Sequence, residues 1–227
     1  MDIENRGVFM TNNYFREPIN GFTHLLGAVL SFVALIAMLI KVSTLNLDIG
    51  LMLISSIAFG ISLILLYSSS ATYHLIIAKD STIAFLRRLD HSMIFMLICG
   101  TYIPFCLLIL EGTTRIIFTS IIIALTIAGI LFKMLWFNCP RWLSTAIYIG
   151  MGWFSILLIS PLYEKISLNG VLWLVSGGIA YTIGGIIYAI KPKFLEFKYL
   201  GFHEIFHLFI MAGSLLHFIC IYCYVFK

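Results

Sequence analysis

Charge is what this chain has least of. Only 11% of its 227 residues are Asp, Glu, Lys or Arg, and 61% are hydrophobic, against about 25% charged and about 45–50% apolar in an ordinary soluble domain. No stretch between the apolar runs is long and polar enough to fold as a soluble unit. The first 19 residues are too polar to read as a signal peptide. Cysteine is scarce as well. Five is an odd number, and the one CxxC, Cys220 with Cys223, has neither a second CxxC nor a βαβ pattern beside it. That leaves no basis for a disulfide framework, a zinc ribbon or a thioredoxin-like redox site, so the cysteines read as small packing residues. No internal repeat or low-complexity segment is evident.

What is abundant is apolar sequence in lengths that match a bilayer. Runs near 20–41, 50–76, 89–110, 115–136, 141–160, 170–190 and 203–225 are each long enough, at 1.5 Å per residue, to cross or nearly cross a hydrocarbon core of about 30 Å. The expectation is an all-α membrane protein: residues 1–19 as a cytoplasmic segment and 20–227 as a single seven-helix transmembrane bundle. Gly177, Gly178, Gly184 and Gly185 in the sixth run suit close helix packing. Four of the fourteen Lys and Arg (Lys41, Arg115, Lys165 and Lys227) fall on one side of such a bundle and the other ten on the opposite side. The positive-inside rule then puts the N-terminus in the cytoplasm and the C-terminus outside. The formal net charge of +4 marks that cytoplasmic rim and possible contact with anionic lipid, and gives no reason to invoke nucleic acid.

All six histidines lie within or at the edge of these runs, where ionisable groups are costly and need a partner or a purpose. With this topology His24, His74, His91, His203 and His207 share the cytoplasmic leaflet. His203 and His207 sit in "HEIFH", four residues apart and so about 40° apart on one helix face, a chelating arrangement. H-E-x-x-H on a helix is also the zinc metalloprotease pattern, with the Glu as general base. The metzincin extension fails, because Ile210 and Gly213 stand where Gly and His are required. His217 is about 15 Å further along the axis than His207. No acidic residue follows Glu204. A third ligand must come from another helix, and His74 and Asp90 are the best placed.

Two segments support that choice. In "YSSSATYHLI" Ser70 is one turn before His74 and shares its face. In "RRLDHSMIF" Asp90 lies just inside the membrane boundary, where a carboxylate is expensive unless paired, protonated or hydrogen-bonded to a metal-bound water. His24, His91 and His217 read as packing histidines satisfied by Asn20, Thr23 or backbone carbonyls. Glu17, before Pro18, reads as a charge favouring the first helical turn. Tyr73, Tyr102, Tyr181 and Tyr188 read as packing or interface residues.

Taken in order, "EPINGFTHLLG" (Glu17 to Gly27), "SSSATYH" (Ser68 to His74), "LDHSMIFMLICGTYIPF" (Leu89 to Phe105), "MGWF" (Met151 to Phe154), "GGIAYTIGGIIY" (Gly177 to Tyr188) and "HEIFHLFIMAGSLLHF" (His203 to Phe218) span the chain. The sequence resembles the hemolysin III branch of the progestin and adipoQ receptor family, in the superfamily that includes alkaline ceramidases. The resemblance implies zinc near the cytoplasmic face, held by the S-x-x-x-H histidine, His74, and by His203 and His207, with Ser70 and Asp90 lining the water position. Glu204 then has no chemical role. Met93 and Ile103 depart from the small and hydroxylated residues common in the third-helix motif, and neither is a ligand position.

The expected function is a zinc-dependent hydrolase of a lipid amide or ester in a cell membrane, by resemblance a bacterial inner membrane. Membrane lipids would be its substrate or ligand, and Asp90 and Ser70 the catalytic side chains. Three alternatives stand beside it: a membrane-composition sensor with structural zinc, a pore-forming hemolysin, and an intramembrane zinc protease using Glu204.

Overall fold

A computed structural model describes residues 14–45, 49–136, 138–198 and 200–227. Most of the expected N-terminal segment, Arg6 included, lies outside the described residues. The described chain is helical, without a strand: α1 (Pro18–Thr44), α2 (Ile49–Leu75), α3 (Asp80–Leu108), α4 (Gly112–Leu135), α5 (Arg141–Trp153), α6 (Ile159–Ile190) and α7 (Phe202–Cys220). A 3₁₀ turn, Phe154–Leu158, joins α5 to α6, and a π turn, Ile221–Val225, closes α7.

Six segments among the described residues are long and apolar enough to cross a membrane, one fewer than the seven expected apolar runs. The difference lies between 141 and 190. The expected spans 141–160 and 170–190 fall in one continuous helical stretch of 50 residues, Arg141–Ile190. That stretch is not straight. Ser167 has φ 64° and ψ 170°, outside helical geometry, and breaks it. Trp153 Nε1 donates to Thr182 Oγ1 at 2.9 Å, and Gly185 packs on Thr145, so the segments before and after the break lie side by side. Lys165 pairs with Glu111 at 3.1 Å, which puts the break at the same end of the molecule as the α3–α4 connection.

The helices sort their residues as lipid-facing helices must. On α1 the large apolar side chains Leu26, Val29, Phe32 and Ile40 are more than half exposed, while Asn20, Gly21, His24, Gly27 and Ser31 are buried. On α2 the inward face carries Ser55, Ser56, Ser62, Ser70 and His74, and Ile54, Ile57 and Leu65 face out. Small and hydroxylated residues inside let helix backbones approach, and approach supplies the dispersion contacts that the hydrophobic effect cannot supply between helices in lipid. The hydroxyls return their hydrogen bonds to their own helix, as Ser56 does to the Met52 carbonyl at 2.8 Å. Gly100 of α3 meets α2 so closely that an added Cβ would sit 2.8 Å from the Ala58 carbonyl oxygen. Three of the four expected packing glycines press on neighbours: Gly177 on His217, Gly184 on Phe209 and Gly185 on Thr145. Gly178 has only a distant contact, at 4.0 Å. Tyr67, Tyr181 and Ser214 tie α2, α6 and α7 together through hydroxyl hydrogen bonds of 2.7 and 2.8 Å.

None of the cysteines is in a disulfide. Cys139 departs from the packing expectation: its Sγ lies 2.9 Å from Ser144 Oγ and accepts from Lys133 Nζ at 3.3 Å.

Candidate metal centre

The ends of α1, α2 and α7 meet where the chain enters α1. Arg16 donates to the Tyr73 carbonyl at 2.6 Å, the Glu17 amide donates to the His74 carbonyl at 2.9 Å, and Asn20 Nδ2 donates to Glu204 Oε1 at 2.9 Å. These contacts dock the start of α1 on the last turn of α2 and the first turn of α7. The three histidines expected to act together are brought together there. One ring nitrogen from each of His74, His203 and His207 lies within 4.8 Å of the others. His74 is 1% exposed and His207 2%.

The spacing of His74 and His203 is close to that of two ligands on a tetrahedral ion. Zinc–nitrogen bonds of about 2.0–2.1 Å at the tetrahedral angle put ligand nitrogens about 3.3–3.4 Å apart. The Nε2 atoms of His74 and His203 are 3.5 Å apart. His74 Nδ1 is engaged elsewhere, 2.5 Å from Glu17 Oε2. A carboxylate on one ring nitrogen fixes the tautomer and aims the other at the metal, the usual support of a zinc-bound histidine. Burial works against the charge of Glu17, yet the hydrogen bond from His74, with the charges of His74 and Arg16, draws its carboxyl down to about 2.

Glu17 is the residue of this candidate centre that the sequence alone does not connect to it. Its position before Pro18 suggests a charge for the first turn of α1, but it makes no cap hydrogen bond there. Its signal was available only as Glu17 preceding a helix that begins at the membrane edge, since nothing in one-dimensional spacing links residue 17 to residue 74.

His24 also differs from expectation. The Thr23 hydroxyl bonds to the Ile19 and Asn20 carbonyls, and Asn20 is taken by Glu204, so neither serves His24. Instead the His24 ring lies flat on His207, centroids 3.6 Å apart and planes 11° apart. It forms a wall of the centre and holds the His207 ring plane. His217 follows expectation: it sits away from the cluster and donates from Nε2 to the Leu174 carbonyl at 3.0 Å. His91 Nε2 lies 3.5 Å from the Tyr188 hydroxyl.

Glu204 is occupied. Its Oε2 accepts from the Gly201 amide at 2.8 Å, capping α7, while its Oε1 takes Asn20. Both oxygens of the would-be protease base are spent on structure. Asp90 of α3 and Ser70 of α2 are neighbours, the Ser70 hydroxyl favouring the charge of the Asp90 carboxylate. Both line a cavity of about 360 Å³ that also takes in His203 and His207 and continues between apolar side chains such as Leu97, Phe105, Leu158 and Leu162. The arrangement puts three histidines, the Asp90 carboxylate and an apolar cavity side by side.

Comparison with known proteins agrees with the whole chain rather than one motif. Residues 12–218 match the family described as haemolysin-III related. The sequence is 38% identical over 220 residues to Hemolysin-3 of Bacillus cereus, covering 95% of this chain and 94% of that protein. It is 37% identical over 211 residues to a Hemolysin-3 homolog of Bacillus subtilis (strain 168), covering 93% and 95% respectively.

Proposed function

The chain belongs to the haemolysin-III-related family, and we propose that it is a zinc-dependent hydrolase of lipid amide or ester bonds, acting within the membrane. His74, His203 and His207 would hold the zinc. When bound, the ion would lower the pKa of water toward neutrality and polarise the scissile carbonyl. Asp90 takes the proton of the attacking water and passes it to the leaving group. Ser70, donating to Asp90, fixes the carboxylate's orientation. Glu17 orients His74, and His24 holds the plane of His207. The apolar cavity receives an acyl chain, so the substrate reaches the centre from the lipid itself.

The topology that accompanies this reading has seven crossings. Arg141–Ile190 crosses twice, turning at Ser167, and this is supported by the Lys165–Glu111 pair and by the side-by-side packing of Trp153 on Thr182. The N-terminus is cytoplasmic, the C-terminus outside, and the metal centre near the cytoplasmic face. The membrane is the cytoplasmic membrane of a bacterium.

The observation that carries the reading is the coincidence of three histidine nitrogens, an Asp90–Ser70 pair and an apolar cavity in one place. The test is Asp90→Asn in purified, zinc-loaded protein. It retains its metal and loses about 10²–10⁴-fold in turnover of short-chain lipid amides and esters, the worth of a positioned acid–base group. Turnover equal to wild type at full zinc occupancy would turn the site into a structural clamp, as in a sensor of membrane composition. The protease reading loses support because Glu204 is committed to Gly201 and Asn20. A lytic activity, which the relatives' names suggest, gains nothing from a cavity lined as this one is.

A further inference from the structure

The end of the molecule that carries the candidate metal centre also carries large apolar side chains where its helices stop. Phe194 is 79% exposed and Phe197 60%, both in the connection between α6 and α7. Trp136 is 53% exposed just past the end of α4, and Trp142 64% in the first turn of α5. The two connections share one end of the molecule, because the Arg141 guanidinium lies over the Tyr188 ring, 5.4 Å from its centroid, and Gly185 packs on Thr145. At the opposite end, around the Ser167 break, the exposed aromatic side chain among the described residues is Tyr163.

Apolar groups of this size gathered on a surface mark a place that something other than water covers. The local geometry says what covers this one. Residues 191–201 join Ile190, the end of α6, to Phe202, the start of α7. Lys191 takes φ 52° and turns the chain off α6 at once. The Phe197 amide then donates to the Leu200 carbonyl at 2.9 Å, and the Gly201 amide to Glu204 of α7 at 2.8 Å. The chain is thereby kept at the level where two membrane-crossing helices end and begin. Its apolar side chains also continue a lipid-facing surface: Ile179, Ile183, Ile186 and Ile190 form an exposed stripe at helical spacing along α6, and Phe194 follows it. Aromatic rings are enriched at that boundary, where a large apolar body meets the head groups.

We propose that the α4–α5 and α6–α7 connections are interfacial anchors, in which Trp136, Trp142, Phe194 and Phe197 enter the head-group layer of the membrane that the helices cross. Anchors of this kind settle about 5–10 Å into the boundary between head groups and acyl chains. His203 lies six residues beyond Phe197, so the anchor also sets the depth of the candidate metal centre, at the layer where the amide and ester bonds of membrane lipids lie. That consequence rests on the hydrolase reading, and the anchoring itself does not.

The test reads membrane depth. Full-length protein is reconstituted in nanodiscs of dioleoyl phosphatidylcholine, or of phosphatidylcholine brominated at acyl carbons 6 and 7, and tryptophan emission is compared. One chain has its own four tryptophans replaced by Phe and carries Phe194→Trp; a second keeps Trp142 alone. In each, emission should fall about twofold or more in the brominated lipid, because the ring sits at that shallow depth, and acrylamide in the water should quench it weakly. Should these chains not fold, a nitroxide on Phe194→Cys, with the exposed Cys223 changed to Ser, reads the same depth: oxygen, which concentrates in lipid, should relax it more than a water-soluble nickel chelate. At either position, strong quenching by acrylamide with none by bromine places the side chain in water, and quenching by neither places it under protein, a second copy included. Each of these results, or a nitroxide relaxed mainly by the nickel chelate, overturns the proposal. The readout involves neither zinc nor turnover, so the hydrolase reading can fail while the anchor stands, and the reverse.

Discussion

His74 gives one ring nitrogen to Glu17, at 2.5 Å, and keeps the other for a point it shares with His203, 3.5 Å away. The docking of α1 on α2 therefore also orients a candidate metal ligand. Disturbing the α1 side should be felt at the metal without touching a ligand. Glu17→Gln removes the charge and keeps the shape, and should weaken zinc affinity by about 10–100-fold, the usual cost of losing such a support. Competition against a calibrated chelator measures it. Affinity equal to wild type would show that the Glu17 contact serves only helix docking.

Glu204, between His203 and His207 on α7, should prove separable from the metal site. Glu204→Gln, which can still accept from the Gly201 amide, should keep its zinc and its turnover. Glu204→Ala should lose about 1–2 kcal/mol of stability with the cap and still hold the metal. Thermal unfolding with parallel zinc analysis distinguishes these outcomes. Loss of nearly all activity in Glu204→Gln at full occupancy would restore Glu204 as a general base.

His217 marks the contrast between packing and ligation. Its ring fills the space above Gly177, where an added Cβ would lie 2.3 Å from it, and its Nε2 bonds the Leu174 carbonyl. His217→Ala should cost about 2–4 kcal/mol, a cavity plus a lost hydrogen bond, and leave zinc content near wild type. Zinc loss in a well-folded His217→Ala protein would contradict the ligand set.

Topology divides six crossings from seven. If Arg141–Ile190 crosses twice, a reporter inserted at Ser167 should read outside, one near Lys193 inside, and one after Lys227 outside. A reporter at Lys227 reading as cytoplasmic would put both termini on one side and exclude the seven-crossing arrangement.

Much of this was legible in the sequence because the underlying physics is local. Run length against bilayer thickness found the helices, and the four-residue spacing of His203 and His207 found the shared face. The third candidate ligand could be narrowed to His74 or Asp90 from the residues alone, and the ordered family motifs chose His74, 129 residues away from His203. What escaped is what depends on contacts between distant segments. Glu17 on His74, His24 stacked on His207 and Lys133 against Cys139 and Ser144 are set by helix packing, and hydropathy reads all of these as isolated polar residues at span edges. The break at Ser167 escaped for a different reason: serine carries no turn signal of its own, and the positive φ it adopts is rare for a residue with a side chain.

The most direct measurement of the central claim is metal content. Protein purified in detergent without added metal, then exchanged against a weak chelator, should carry about one zinc per chain by elemental analysis. His74→Ala, His203→Ala and His207→Ala should each lose most of it, because two histidines bind poorly where three are needed, and His24→Ala should retain far more than any of them. Wild-type protein that is folded and zinc-free after zinc loading, or a His74→Ala variant with full occupancy, would contradict the account.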